Sequence, residues 1–310
     1  MIMSLETYLE KFKKLRVNKS GDHVSPHKAS MLLAVIRLYE SGFLNENKID
    51  YSHQLLERYS EIFGCVATDQ DTKNPNFPFF HLKSDGFWKL HPLSGREAAL
   101  EHLNSARSGK DIAENVAYAS LDDELHQLML RPVTRNLLKE ELVVFWFGKH
   151  RQSLEKLLVQ DEYEKELRNE SPAQIKEESK KYDKPIRDAA FRRVVTEVYD
   201  YRCAASGRRL VLPGELILVE AAHLIPFSET QDDDPRNGIA LTPNYHWAMD
   251  RGIISPGPDY KWHVSDIVDS RIADNKFLVE LDGKELIMPK LKRFWPREDA
   301  LEARYLLAKI

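Results

Sequence analysis

Two histidines, an asparagine and an aspartate lie close together in the last third of the sequence, and their chemistry suits phosphodiester hydrolysis. His223 stands near the end of an apolar, strand-like run in VEAAHLIPFS, and NGIALTPNYHWAMDRG contains Asn237, His246 and Asp250. Cutting a phosphodiester with water requires a base for the water, a cation for the charge on the phosphate, and a group that holds the base. The order of these residues predicts a metal-assisted hydrolytic centre with His223 as its base.

The ligands available to such a cation are nitrogen and oxygen atoms. His246 and Asp250 are four residues apart, which on a helix places them on one face about 5 to 6 Å apart. A histidine with a carboxylate is compatible with Mg²⁺, Mn²⁺, Ni²⁺ or Zn²⁺. The chain has only two cysteines, Cys65 and Cys203, which excludes a disulfide framework and a four-cysteine zinc site. We therefore expect one divalent metal ion held by His, Asp, Glu or Asn.

A second group of residues in the first third of the chain suits anion binding. PHKASMLLAVI places Pro26, His27 and Lys28 at the start of an apolar helix, where free backbone N–H groups and the helix dipole favour an anion. NPNFPFFHLKSDGFW adds aromatic residues and prolines that we interpret as a loop. The same residues could instead form an ordinary helix start and a packed aromatic cluster.

The N-terminal half is predicted to be mainly helical. Helical apolar spacing with a stop at Gly42 predicts a buried helix in HKASMLLAVIRLYESGF. YSHQLLERYSEIF, SLDDELHQLML and PVTRNLLKEELVVFWF share this spacing. Ser84, Asp85 and Gly86 predict a turn that feeds a short hairpin.

The C-terminal half begins after a charged stretch. Residues 151–183 carry few large apolar groups and predict a partly helical linker. RDAAFRRVVTEVY then predicts an amphipathic helix, and residues 210–219 and 277–287 are strand candidates, the second turning at Asp282 and Gly283. At 310 residues, the chain is long enough for two domains.

Composition excludes some classes of protein. Hydrophobic residues at 42% and charged residues at 30% are typical of a globular protein, and no apolar stretch approaches the roughly 18 residues that a membrane span needs. The N-terminus lacks a signal-peptide pattern, so a cytoplasmic location is expected. The net charge of −4 gives no overall sign of a nucleic-acid partner. Basic residues do crowd residues 180–209, where they could meet phosphates or simply form a solvated helix face.

The C-terminal motifs resemble those of a known nuclease family. VEAAHLIPFS, NGIALTPNYHWAMDRG and the upstream FRRVVTEVYDYRCAASG are similar to HNH nucleases of the ββα-metal fold, in the branch found in restriction endonucleases. The resemblance implies that His223 is the general base, that Asn237 orients it, and that His246 is a metal ligand. Asp250 falls where related domains often place a second ligand.

Two departures from that family pattern affect the predicted metal site. Many members have an acidic residue or histidine directly before the base, where this chain has Ala222. Glu220 shares the alternating strand face of Ala222 and is the substitute candidate, with a structural role as the alternative. Many members also hold a structural zinc with paired CxxC motifs, whereas here Ser206 follows Cys203 at the partner position.

The N-terminal motifs resemble the sulfur-binding domain of phosphorothioation-dependent type IV restriction endonucleases, which read DNA with one backbone phosphate oxygen replaced by sulfur. The resemblance implies that Phe77 and Pro78, with residues near His81, form an apolar wall. It also implies that the Pro26, His27 and Lys28 motif flanks the modified phosphate. Arg107, in NSARSGK, is a further basic candidate.

Together these observations predict an α+β protein with a mainly helical DNA-reading domain followed by a ββα-metal HNH nuclease domain. The predicted limits are 1–150 for the reader, 151–183 for the linker and 184–310 for the nuclease. The predicted partner is double-stranded, phosphorothioated DNA, with no membrane. One such site cuts one strand, so a homodimer is also considered. A nuclease that reads methylated cytosine and a catalytically silent DNA-binding regulator remain the alternatives.

Overall fold

The computed structural model describes residues 5–21, 23–212 and 216–308. Contacts divide the chain into two compact units, with the division between Asp161 and Glu162, inside the stretch predicted as a linker. Among the described residues, no helix combines the length and apolar character needed to cross a bilayer.

The first unit is built mainly from helices, as predicted. Its helices and strands in chain order are α1 (Leu5–Lys13), β1 (Lys19–Ser20), β2 (His23–Val24), α2 (His27–Glu40), α3 (His53–Val66), α4 (Asn76–His81), β3 (Trp88–Pro92), α5 (Glu97–His102), α6 (Gly109–Asn115), β4 (Val116–Leu121), α7 (Asp123–Leu130), α8 (Pro132–Phe147) and α9 (Arg151–Asn169), whose last residues belong to the second unit.

Helix α2 is the centre of this unit. Every residue from Lys28 to Tyr39 is buried, which confirms the predicted buried helix, and Gly42 follows its end with φ +76°. Helices α3, α4, α7 and α8 all pack against α2. The start of α2 is therefore held rigidly by the surrounding core.

The prediction of a loop that feeds a local hairpin over residues 74–90 was wrong, although the predicted turn is present, with Gly86 at φ +79°. Residues 76–81 form α4 and residues 82–85 a 3-10 turn, and strand β3 pairs with the distant β4 in an antiparallel register that matches Trp88 with Leu121. Phe79 and Phe80 are fully buried, and Pro78 lies in the first turn, where its missing N–H is not needed. Tertiary burial of the aromatic residues therefore favours a helix.

The second unit holds the C-terminal motifs in short elements. In chain order they are α10 (Pro172–Glu178), α11 (Lys184–Val198), β5 (Glu220–His223), α12 (Phe227–Thr230), β6 (Gly238–Leu241), α13 (Pro243–Asp250), β7 (Ile254–Pro256), β8 (Trp262–Val264), α14 (Lys276–Val279) and α15 (Glu298–Ala308). Strands β5 and β6 form one antiparallel pair and β7 and β8 another.

Residues 162–183 pack into this unit. Tyr163, Leu167 and Ile175 are buried in a small cluster with Ala190 and Val194 of α11. Their spacing along α9 and α10 gives the charged stretch an apolar face.

The strand prediction at 210–219 was confirmed in part, since Leu218 N donates to the Leu210 carbonyl and Leu212 N donates to the Leu216 carbonyl in a short antiparallel pairing. Val211 and Ile217 form an isolated bridge within it, and residues 213–215 lie outside the described part.

The strand prediction at 277–287 was wrong. Leu278 and Leu281 are buried three residues apart, a helical spacing, and α14 forms there. The predicted turn at Gly283 is confirmed by its φ of +71°.

Candidate active site and candidate nucleic-acid interface

The hairpin of β5 and β6 positions His223 against helix α11. His223 is the last residue of β5 and lies opposite Gly238, the first residue of β6. A Cβ at Gly238 would lie 2.5 Å from Val195 Cγ2 and 2.8 Å from Phe191 Cζ. The hairpin therefore approaches α11 more closely than a residue with a side chain at position 238 would allow. The Phe191 ring stacks on the imidazole with centroids 3.8 Å apart and planes 6° apart. This contact sets the plane of the imidazole.

The two nitrogens of His223 have different surroundings. Nε2 is buried, lies 3.5 Å from Asp233 Oδ1, and makes no hydrogen bond to any described residue. The side chain is 22% exposed, and Nδ1 is the nitrogen that solvent can reach. Nδ1 is therefore the atom placed to accept a proton from water.

Asn237 holds the loop after His223, and its side-chain hydrogen bonds go to this loop and not to the imidazole that it was predicted to orient. Its Oδ1 accepts from Ile225 N at 2.9 Å, and its Nδ2 donates to the carbonyls of Ile225 at 3.2 Å and Asp232 at 3.1 Å. Its own carbonyl accepts from Leu224 N at 2.8 Å. The side chain therefore fixes the backbone that carries the base.

The three predicted metal ligands lie together on β5 and α13. His246 Nδ1 lies 3.0 Å from Glu220 Oε2, and His246 Nε2 lies 3.6 Å from Asp250 Oδ2, an i,i+4 pair as predicted. One imidazole with two carboxylates is a donor set that divalent cations accept. In the part of the chain that the structure describes, no three such side chains converge closely enough to hold a metal as they stand. A cation would have to displace one carboxylate from the imidazole.

Ala222, at the position where many HNH nucleases have an additional ligand, is buried and has no ligating atom. Ser206 likewise offers no thiolate beside Cys203. The Cys203 sulfur instead accepts from the backbone N–H groups of Ser206 and Thr242, both at 3.5 Å. A packed sulfur thus stands where related domains place a zinc ligand.

A buried acidic run before Asn237 was missed by the sequence reasoning. Asp232 and Asp234 are buried, and Arg297 donates to Asp232 Oδ2 at 2.6 Å and to Asp234 Oδ2 at 2.8 Å. Arg236 Nε adds a bond of 2.8 Å to Asp234. Burial works against the charge of Arg297, but these carboxylates outweigh it and hold the pKa of Arg297 above its usual range. The run clamps the loop between the two strands.

Asp233 differs from its two neighbours because it faces the imidazole. It is 0% exposed, its Oδ2 accepts from Tyr163 OH at 3.3 Å, and Arg187 Nη1 lies 3.5 Å from the same oxygen. A run of three acids ordinarily indicates a solvated surface. Nothing in its spacing reveals that Tyr163, 70 residues earlier, covers it.

Ion pairing neutralises much of the basic stretch that was considered for phosphate binding. Arg193 is buried, and its Nη1 lies 2.7 Å from Glu164 Oε1. Arg187 forms an ion pair with Asp233. Lys180 and Lys181 pair with Glu177 and Glu178, and Arg209 pairs with Asp200. A solvated and internally paired helix face therefore describes this stretch better than a phosphate patch.

The first unit contains a pocket of about 440 Å³ at the start of α2 and along α4. Five of the seven predicted recognition residues line it: His27, Lys28, Phe77, Pro78 and His81. Residues that the sequence reasoning missed complete the lining, and they are Arg16, Val17, Asn18, Ser25, Ser84 and Ser105.

Two of the basic residues of this pocket, Lys28 and His27, have partners within the protein. Lys28 is buried, and its Nζ donates to Asp85 Oδ2 at 2.6 Å and to Ser84 Oγ at 3.0 Å. His27 Nε2 donates to the Thr72 carbonyl at 2.9 Å, so its Nδ1 accepts from Ser25 Oγ at 2.8 Å. Arg16, which also lines the pocket, is exposed, and its guanidinium makes no ion pair with a described residue.

His81 and Phe77 form the other side of the pocket. Burial lowers the pKa of His81 below its usual value, and the nearby Lys28 and Lys83 lower it further. His81 is hence neutral near pH 7, with Nε2 3.1 Å from Ser105 Oγ. Phe77 is 40% exposed and Pro78 is buried, which gives the wall its apolar surface.

Two predicted recognition residues do not line this pocket. Pro26 is buried just before α2, where its carbonyl accepts from Ser30 N at 2.9 Å. Arg107 is exposed, and its backbone N–H donates to Asp111 at the start of α6. Ser105, two residues before Arg107, is the member of this segment that reaches the pocket.

The hairpin, its buried Asn237 and the histidine-bearing helix define the second unit as an HNH endonuclease domain. Residues 203–255 match the HNH endonuclease family model. Residues 5–158 match the family model described as the ScoMcrA-like DNA sulfur-binding domain. The chain therefore consists of a DNA sulfur-binding domain followed by an HNH endonuclease domain.

Two solved structures show limited likeness to this chain. A modification-dependent TagI restriction endonuclease is 20% identical over 39% of this chain and 38% of its own, with a TM-score of 0.31. The sulfur-binding domain of SprMcrA complexed with phosphorothioated DNA is 17% identical over 47% of this chain and 86% of its own, with a TM-score of 0.34. These scores are too low to carry residue positions between the proteins. No curated protein matches the chain.

Proposed function

We propose that the protein is an endonuclease that binds DNA carrying a phosphorothioate and hydrolyses phosphodiester bonds nearby with a divalent cation. The observation that carries this proposal is the pocket at the start of α2. There, an apolar wall of Phe77 and Pro78 lies in one pocket with the compensated Lys28 and the exposed Arg16, in the domain that matches the sulfur-binding family.

The apolar wall of the pocket favours sulfur over oxygen. A phosphorothioate keeps its negative charge, but its sulfur is larger and more weakly hydrated than a phosphate oxygen. It can therefore enter an apolar wall with a smaller loss of hydration. An ordinary phosphate oxygen would lose strong hydration at the apolar wall, and Lys28 cannot compensate for this because it is already paired with Asp85. The charge of Arg16 can attract either anion, so discrimination between them comes from the wall.

The HNH centre supplies the hydrolysis. His223 Nδ1 takes a proton from water, the resulting hydroxide oxygen attacks phosphorus, and the bond from phosphorus to the 3′ oxygen breaks. A divalent cation held by His246, with Asp250 and Glu220, would stabilise the charge on the phosphate and the leaving oxygen. Asn237 keeps the loop after His223 in place, and Phe191 keeps the imidazole plane.

A parallel digestion tests the whole proposal. Phosphorothioated and unmodified plasmids of the same sequence are incubated with the protein and Mg²⁺, Mn²⁺, Ni²⁺ or Zn²⁺ in turn, and His223→Ala is the matched inactive variant. We expect cutting of the modified plasmid alone, its loss on chelation, and a nicked product that precedes the linear one if single sites act independently. Equal cutting of both plasmids would refute the sulfur-dependent part, and full activity of folded His223→Ala would refute the assigned base.

A binding competition separates sulfur recognition from base recognition. Oligonucleotides with one phosphorothioate, with one methylated cytosine, or with neither compete for the full chain at moderate salt. We expect the phosphorothioate to compete best. Preference for methylated cytosine would instead indicate a reader that flips a base.

A further inference from the structure

Two buried polar atoms beside the HNH hairpin face each other, and neither has a hydrogen bond to a described residue. They are His223 Nε2 and Asp233 Oδ1, which lie 3.5 Å apart. Buried groups of this kind almost always have a partner, so a facing pair without one calls for a functional explanation. A small rotation of either side chain would bring the two atoms to hydrogen-bond distance.

The surroundings hold both side chains in this relation. The other oxygen of Asp233 is engaged by Tyr163 OH and lies beside Arg187, which leaves Oδ1 pointing at the imidazole. The imidazole plane is set by the stacked Phe191 ring. The residues on either side of Asp233 are tied to Arg297, so the backbone that carries it is anchored.

We infer that Asp233 is a positioning residue for the proposed base. Its carboxylate accepts a hydrogen bond from the Nε2–H group of His223. Nδ1 is then unprotonated and directed to the water. When Nδ1 takes the water proton, both ring nitrogens carry hydrogen, and the positive charge of the imidazolium lies beside the Asp233 carboxylate. This inference rests on the proposed role of His223 and adds the group that selects its tautomer. Asn237, the residue first expected to orient the ring, supports the backbone instead.

The tautomer of His223 gives a readout that a structural role alone would not change. Nitrogen-15 NMR of the full chain with labelled histidine, assigned with His223→Ala, distinguishes Nε2–H from Nδ1–H. We compare the parent with Asp233→Ala and with the isosteric Asp233→Asn. Asp232→Asn is the matched control, because it changes the neighbouring acid that binds Arg297 and does not face the ring.

In the parent we expect the Nε2–H tautomer, and in Asp233→Ala an increased share of Nδ1–H. For plasmid cleavage, the kcat of Asp233→Ala should be about 10- to 100-fold below that of the parent, with KM changed by no more than about twofold. The kcat of Asp233→Asn should lie between those of the parent and Asp233→Ala. Asp232→Asn should keep the parent tautomer.

If a folded Asp233 variant keeps the tautomer or the kcat of the parent, the inference is overturned. If Asp233→Ala does not fold, the measurements on Asp233→Asn test the inference. Failure of the proposed function is recognised separately. If His223→Ala cuts at the parent rate, His223 is not the base, whereas the NMR measurement still reports whether Asp233 orients its ring.

Discussion

At the scale of single residues, the polar groups at the start of α2 in the recognition pocket already have partners within the protein, whereas the guanidinium of Arg16 has none among the described residues. Lys28 is neutralised by Asp85, and both nitrogens of His27 have partners. His81 loses its proton more readily than usual because it is buried. The residue left to distinguish sulfur from oxygen is the partly exposed Phe77 at the wall.

Phe77→Ala should therefore weaken binding of phosphorothioated DNA and leave binding of unmodified DNA nearly unchanged. Loss of the ring removes apolar contact worth about 1 to 2 kcal/mol, which is roughly a tenfold change in affinity. Fluorescence anisotropy with matched oligonucleotides measures both affinities. Phe43→Ala is the control, because Phe43 is similarly exposed and does not line the pocket. An equal loss for both oligonucleotides would assign Phe77 to general DNA contact.

The roles of residues could be predicted where they belong to a local sequence motif. They could not be predicted where the contacting residues are distant in the sequence. The spacing of His246 and Asp250 predicted a shared helix face, and α13 confirms it. Asp233 gave no such signal, because its burial depends on Tyr163 and Arg187 from separate helices. The orienting role of Asn237 was inferred from a family pattern, and in the structure its side-chain hydrogen bonds go to the loop after the base.

At the scale of elements, the nuclease centre depends on how closely the β5–β6 hairpin lies on α11. Phe191 and Val195 of α11 occupy the space where a side chain at position 238 would stand. The same Phe191 ring stacks on His223. Packing of the hairpin and orientation of the base are therefore coupled through one aromatic ring.

Gly238→Ala should destabilise the protein and lower its cutting rate together. The added methyl must displace Phe191 or Val195, and overpacking of this kind costs about 1 to 3 kcal/mol. Urea unfolding and plasmid cleavage measure the two effects. Gly64→Ala is the matched control, because the new Cβ meets nothing within 4 Å inside α3, and it should be neutral or stabilising by up to about 1 kcal/mol. Parent activity in Gly238→Ala would separate the hairpin packing from the base.

Helices were predictable where apolar residues recur at helical spacing, whereas the charged α9, the longest of the described helices, was predicted only as part of a linker. The periodic runs of α2, α3 and α8 are long enough to show a helical face in sequence. The short α4 and α14 contain aromatic and β-branched residues typical of strands, and burial in the tertiary structure decides their form. The pairing of β3 with β4 could not be predicted, because it joins strands separated by two helices.

At the scale of the whole molecule, buried histidines make the stability of the first unit depend on pH. Burial lowers the pKa of His81, His91 and His126 below their value of 6.5 in the unfolded chain. Below that value the unfolded state binds more protons than the folded state, so stability falls as the pH falls. Urea unfolding at about pH 7.5 and pH 5.5 should show a lower free energy of unfolding at the acidic pH.

His126→Gln should reduce that pH dependence, because it removes the buried ring that accepts or donates the 2.7 Å bond with Tyr39 OH. The exposed His102 of α5, changed in the same way, is the matched control. Equal slopes in the parent and His126→Gln would show that His126 does not contribute to the pH dependence.

The limits of the first folding unit lead to a prediction about fragments. Arg37 is fully buried in α2, and Asp161 binds its guanidinium at two points, with Nε at 2.6 Å and Nη2 at 2.8 Å. Leu154 also belongs to the core of this unit.

A fragment that ends at residue 150, the domain limit predicted from the sequence, loses both Leu154 and Asp161. One that ends at 161 keeps them and should be more stable by about 1.5 to 3 kcal/mol, the usual contribution of hydrogen bonds to a charged group, because Arg37 retains its ion pair with Glu61 in both fragments. Calorimetry on both fragments measures the difference, and Asp161→Asn in the full chain should reproduce part of it, whereas the exposed Glu155→Gln should not. Equal melting temperatures for the two fragments would contradict a unit that extends into α9.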